Sequence, residues 1–165
     1  RVRYGREFLD AMAWDSRGIR YAQLFFGGFF LALGASLTAQ LLGAPPTENL
    51  AIKELLKDPF SIVVVAISAV TLGPVFEELA FRGFVLPLLT RTFGAAGGII
   101  LTSLPFTLLH GKQYSWSWQH LGVLFAVSAV FCWVRLRTGS PLASTVMHVG
   151  HNVLPTIVLL SGQYK

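Results

Sequence analysis

The chain has 165 residues, 53% hydrophobic and 13% charged, with a net charge of +5, whereas a soluble domain carries about 25% charged residues. With a mean hydropathy of +0.60, it is excluded from the water-soluble globular class and reads as a membrane protein. The positive balance does not indicate nucleic acid, because the bases lie in short connections between apolar stretches, where lipid headgroups and topology rules place them.

Stretches free of Asp, Glu, Lys and Arg run over 21–47, 59–76, 83–90, 92–111, 113–134 and 138–164. Several reach the roughly 20 residues needed to cross a hydrocarbon core about 30 Å thick. The expected fold is all-α, a polytopic helical bundle with about five or six transmembrane helices and an intramembrane polar cavity, forming a single membrane domain over 1–165. The opening RVRYGREF lacks a methionine, as expected of a fragment or processed form with helices missing upstream.

In chain order, residues 1–20 form a mixed-charge interfacial lead-in with Arg1, Arg3, Arg6, Arg17 and Arg20. The first span is expected over 21–42 and is broken by Ala44-Pro45-Pro46-Thr47; 47–58 reads as a short polar connection with some helical character. The Val- and Ile-rich run from Pro59 would be weighed as a buried strand in water. Among membrane spans an open strand edge is excluded, so a helix is expected, broken or kinked at Gly73-Pro74. A helix over 75–91, a turn at Thr92-Phe93-Gly94 and a helix over 95–110 follow. Loop 111–120, GKQYSWSWQH, has the Tyr and Trp of a membrane interface. Then come a helix over 121–134, a basic turn over 135–140 and a last helix over 141–163. No repeat, low-complexity tract or domain boundary interrupts this order. Alternating the spans from a cytoplasmic N-terminus puts nine bases inside and four outside, as the positive-inside rule prefers, and sets Glu77 and His110 in the outer half.

Charge is scarce in these spans, yet FEELAFRG at 76–83 contains two acids and an arginine. Each residue of a helix advances about 100°, so Glu78 and Arg82 share a face while Glu77 points about 100° away. Glu78 can pair with Arg82 as structural support, which leaves Glu77 as the candidate for chemistry. Counted from the turn at Phe93-Gly94, Glu77 and His110 are equally distant in sequence, so an antiparallel hairpin brings them to similar depth. In HVGHN, His148 and Asn152 share a face and His151 lies to one side. Taken singly, these features have bland readings: a helix-end ion pair, a carbonyl cap at His110, interhelical glue at His148 and Asn152. His120 reads as interfacial, and Cys132, the lone cysteine, as core packing that permits no internal disulfide. Together they ask for an inward, water-filled pocket.

Glu77-Glu78-Leu79-Ala80-Phe81-Arg82 matches EExxxR, Phe106 to His110 matches FxxxH, and His148 to Asn152 matches HxxxN, in that order. The chain resembles the CPBP family, the CAAX proteases and bacteriocin-processing (Abi) enzymes, which includes the type II CAAX prenyl endopeptidases. The motif-bearing core covers about 75–155, roughly half the chain. The resemblance implies an intramembrane endopeptidase in which Glu77, with His110, holds and deprotonates the attacking water, and His148 and Asn152 stabilise the oxyanion. Phe106 is expected to pack the pocket. The implied substrate is a peptide or lipidated protein, a prenylated CAAX-type C-terminus or a leader peptide, met among membrane lipids in a bacterial or archaeal cell membrane. No cofactor is favoured. The alternative is zinc held by Glu77, His110 and His148, although HExxH is absent. Two other classes remain to be distinguished, a proton or ion pathway and a non-catalytic immunity or scaffold protein.

Overall fold

The structure, a computed structural model, describes residues 7–46 and 58–161. All regular structure in these residues is helical. A short helix α1 (Phe8–Ala11) precedes α2 (Tyr21–Leu41), which ends at the left-handed Gly43 just ahead of the Pro45-Pro46 pair. The polar connection expected at 47–57 lies outside the described residues. Asp58 caps the next helix, α3 (Pro59–Val70), by accepting the Ser61 N–H at 3.0 Å, and Pro59 occupies the first turn, where its missing N–H costs nothing.

The break expected at Gly73-Pro74 occurs at Thr71 (φ −126°, ψ −79°), so that Pro74 falls in the first turn of α4 (Leu72–Glu78). A π-helical segment, Leu79–Val85, follows directly and runs into α5 (Leu86–Leu109). Gly94 interrupts α5 at φ 71°, ψ 178°, a conformation accessible only to glycine without strain. The chain reverses there, and the two limbs pack so closely that a Cβ on Gly98 would collide with Thr90. Phe81 and Phe106, equidistant from the turn, meet edge-to-face at 5.2 Å.

Helix α6 (Trp118–Thr138) is longer at both ends than expected. Its stop is set by Gly139 in the left-handed region, whose N–H reaches the Arg135 carbonyl, so Arg135 and Arg137 belong to its last turn, where cations suit the helix dipole. Helix α7 (Pro141–Leu160) is capped by Ser140, which also ties the N-terminal segment down through Asp15 O at 2.7 Å.

Among the described residues four helical stretches are long and apolar enough to cross a membrane: Tyr21–Leu41, Pro59–Leu109, Trp118–Thr138 and Pro141–Leu160. The second is 51 residues long and doubles back at Gly94, so counting its limbs separately meets the lower bound of the expected five or six. Large apolar side chains such as Phe30, Phe60, Phe76 and Leu109 point outward, as a lipid-facing surface requires. The interior is knit by backbone approach: a Cβ on Gly28 would strike the Met147 carbonyl and one on Gly150 the Phe25 carbonyl, so α2 and α7 interlock through small residues. The chain is thus a multi-pass membrane protein whose central helix, α7, touches α2, α3, α4, α6 and the π segment.

Candidate active site

The π segment shapes the first part of the site. Its Leu86 N–H bonds the Phe81 carbonyl five residues back, and the same pattern one residue on would require an N–H from Pro87, which has none. The stranded Arg82 carbonyl is instead met by Arg135 Nε from α6 at 3.1 Å.

Within this turn Glu78 and Arg82 form the expected local pair, Nη1 to Oε1 at 2.9 Å, with both side chains fully buried. Arg82 Nη2 donates to the carbonyl and Oγ of Ser128 at 3.0 and 2.7 Å. Its guanidinium lies 4.5 Å from the Phe106 ring centre and 5.4 Å from that of Phe131, within the range of cation–π attraction. Burying two charges is costly unless their remaining groups are satisfied; Ser128 and the aromatic walls meet the Arg82 guanidinium face and Nη2, while Arg82 Nε and Glu78 Oε2 are buried without a hydrogen-bond partner.

Glu77 faces elsewhere, as its angular offset predicts. Its side chain is 34% exposed, and its Oε2 lies 3.8 Å from His148 Nε2 with no hydrogen-bond partner. His148 stands between the two acids, because its Nδ1 lies 3.0 Å from Glu78 Oε1. An ionised carboxylate only accepts, so Nδ1 carries the proton and Nε2 is the atom turned to Glu77. Phe131 stacks on the imidazole at 4.7 Å and 27°.

His110 terminates α5. Its own backbone N–H bonds Thr107 O, and its Nδ1 lies 2.8 Å from Phe106 O. A carbonyl cannot donate, so Nδ1–H is again the donor, and the ring satisfies a helix-end carbonyl while leaving Nε2 free of the proton in the neutral form. Phe106 is 1% exposed and lies 4.7 Å from His110 and 6.2 Å from His148. It is the shared wall that the FxxxH spacing predicts.

Asn152 lies one turn beyond His148. Its Nδ2 donates to Ala69 O at 2.8 Å and its Oδ1 accepts from His151 Nδ1 at 3.2 Å. Ala69 is at the end of α3, where the break at Thr71 interrupts the regular ladder, so Asn152 fastens the segment leading to Glu77. Its second amide hydrogen is uncommitted.

The structure therefore links Glu77, Glu78, Arg82, Phe106 and His148 by direct contacts, with His110 joined to them through the Phe106 ring and Asn152 one turn along α7 from His148. Among the described residues no three His, Cys, Asp or Glu side chains converge as metal ligands would. Both Nδ1 atoms are already committed to protein acceptors. His120 stacks on Tyr114 at 5.3 Å and bonds Ser117 Oγ, and Cys132 is buried beside Ser103.

Sequence reasoning missed the contribution of α6. Ser128, Phe131 and Arg135 all touch the motif residues, and the available signals were a serine inside an apolar run and a proline five residues after Arg82.

The described residues form a multi-pass helical bundle that carries a carboxylate and two imidazoles on three of its helical segments. Residues 59–154, more than half of the chain, match the family described as type II CAAX prenyl endopeptidase Rce1-like, and the chain belongs to that family, whose members are membrane endopeptidases. No curated protein and no solved structure gives a match.

Proposed function

We propose that the chain hydrolyses a peptide bond near the C-terminus of a membrane-associated, prenylated substrate, with Glu77 activating the water. The observation that carries this reading is the 3.8 Å gap between Glu77 Oε2 and His148 Nε2. It is too long for a direct hydrogen bond, so the two atoms are free to take the two oxygens of the reacting centre, the water on Glu77 and the carbonyl oxygen on His148. Glu78 next door is neutralised by Arg82 and cannot do the same work.

In this mechanism a water bound to Glu77, with His110 Nε2 as its second anchor, gives its proton to the Glu77 carboxylate as its oxygen bonds the scissile carbonyl carbon. The carbonyl oxygen becomes the oxyanion and accepts from His148 Nε2–H, with the imidazole in its charged form, and from the free amide hydrogen of Asn152. Collapse breaks the C–N bond as Glu77 returns the proton to the leaving amine. The products are a shortened acyl chain and a released peptide.

The test is incubation of the purified protein in detergent with a farnesylated CAAX peptide and its unprenylated counterpart. Cleavage of the former, lost in Glu77→Gln and unchanged by chelator, is the expected result. Cleavage that persists in Glu77→Gln, or that a chelator abolishes, overturns the mechanism. Absence of cleavage of either peptide, with ion flux in liposomes that needs Glu77, would make the chain a proton or ion pathway instead.

A further inference from the structure

Helix α6 carries none of the three sequence motifs, yet it touches them at three points. Ser128 accepts two hydrogen bonds from the Arg82 guanidinium, Phe131 stacks on the His148 ring, and Arg135 Nε bonds the Arg82 carbonyl. These positions are separated by three and then four residues, the spacing that aligns side chains along one face of a helix.

We infer that this stripe is a positioning device for His148: Ser128 and Arg135 fix Arg82, Arg82 fixes Glu78, Glu78 holds Nδ1–H, and Phe131 fixes the plane of the ring. The inference rests on the proposed role of His148 as an oxyanion donor, but the geometry it explains is independent of substrate. Glu78 Oε1 alone receives both Arg82 Nη1 and His148 Nδ1. Any rotation of the guanidinium therefore moves the atom that sets the imidazole. Arg82 is anchored on both its backbone and its side chain by one neighbouring helix, and Ser128, fully buried, gives the guanidinium a hydroxyl as well as a carbonyl. Phe131 adds a second restraint. It faces both the Arg82 guanidinium at 5.4 Å and the His148 ring, so it closes the space into which either could swing. None of these α6 side chains touches the reacting atoms.

The experiment uses the full chain, labelled with ¹⁵N-histidine in detergent micelles, as wild type, Ser128→Ala, Ser128→Thr, Phe131→Leu, Phe131→Tyr and Arg135→Lys, with His148→Gln to assign the His148 signals. In the wild type the Nδ1–H resonance is expected to be observable and protected from solvent exchange. Ser128→Ala and Phe131→Leu are expected to speed that exchange about tenfold or more, while Ser128→Thr and Phe131→Tyr restore the wild-type spectrum. With the farnesylated peptide, kcat is expected to fall about tenfold in the same two variants at unchanged KM, because the loss is felt in the transition state alone. Unaltered His148 resonances in both Ser128→Ala and Phe131→Leu overturn the inference, as does a kcat loss without a change in the ring signals. If the wild type cleaves nothing, the proposed function fails while the ring signals still decide the positioning role. Should Phe131→Leu not fold, Ser128→Ala, which removes a single oxygen, carries the decision.

Discussion

Glu77 and Glu78 are neighbours in sequence with different surroundings, and the difference follows from angle and partner. Glu78 is fully buried and shared between Arg82 and His148; Glu77 is one-third exposed and its Oε2 has no bond. Substitution should separate them. Glu77→Gln is expected to abolish peptide cleavage while leaving thermal unfolding in micelles within about 0.5 kcal/mol of wild type, as for a site without buried partners. Glu78→Ala strands the Arg82 charge in the interior and is expected to cost about 3–5 kcal/mol, read as a lowered unfolding temperature. If Glu77→Gln destabilises as much as Glu78→Ala, the division of labour is wrong. The Glu78–Arg82 pairing was legible beforehand, because the four-residue interval between them sets them on one face of any helix. The tautomers of His110 and His148 were not, since they depend on acceptors supplied by the backbone of α5 and by Glu78.

Among the elements, the α2–α7 contact controls where His148 and Asn152 sit, because Gly150 lies between them and its Cα abuts the Phe25 carbonyl. Gly150→Ala and Gly28→Ala would each press a methyl group into backbone that cannot yield, with an expected loss of about 2–4 kcal/mol. Gly34→Ala, on the same helix with open space around it, serves as the neutral control in the same unfolding assay. The start of α3 offers a pH test outside the spans. The Ser61 hydrogen bonds hold the Asp58 carboxylate below its ordinary value. Its capping contribution is therefore complete above the unfolded carboxylate value near pH 4 and is lost as pH falls through the lower folded value. Hydrogen exchange at the first turn of α3 is expected to accelerate below about pH 4 in the wild type and to show no such pH step in Asp58→Asn, since asparagine caps without titrating. Helix existence, the break before Pro74 and the reversal at Phe93-Gly94 were readable from hydropathy and from glycine and proline chemistry. The π segment was not, because it arises from register between Phe81 and Leu86, and the length of α6 was underestimated because its arginines read as a turn when Gly139 is what stops it.

At the scale of the whole molecule, the turns at Gly94 and Gly139 and the segment around Asp15 mark one end of the bundle, with Arg17, Arg20, Arg91, Arg135 and Arg137 among its bases. The positive-inside rule would assign that end to the cytoplasm and set Glu77 and His110 towards the opposite face, whereas cleavage of a prenylated cytoplasmic tail requires the site to open inward. In a Cys132→Ser background, Glu77→Cys in right-side-out vesicles is expected to react with a membrane-impermeant thiol reagent, whereas the same protein in inverted vesicles is protected. Labelling from the inverted side alone would reverse the orientation and turn the site towards cytoplasmic tails.

The reversal at Gly94 also bears on biogenesis. A ribosome delivers the Glu78–Arg82 pair to the bilayer well before Ser128 or His148 has been made, so for the span of some sixty codons that pair waits in the insertion machinery with half its escorts missing. Only when the last two helices join the bundle do Ser128 and His148 complete the partners of that pair.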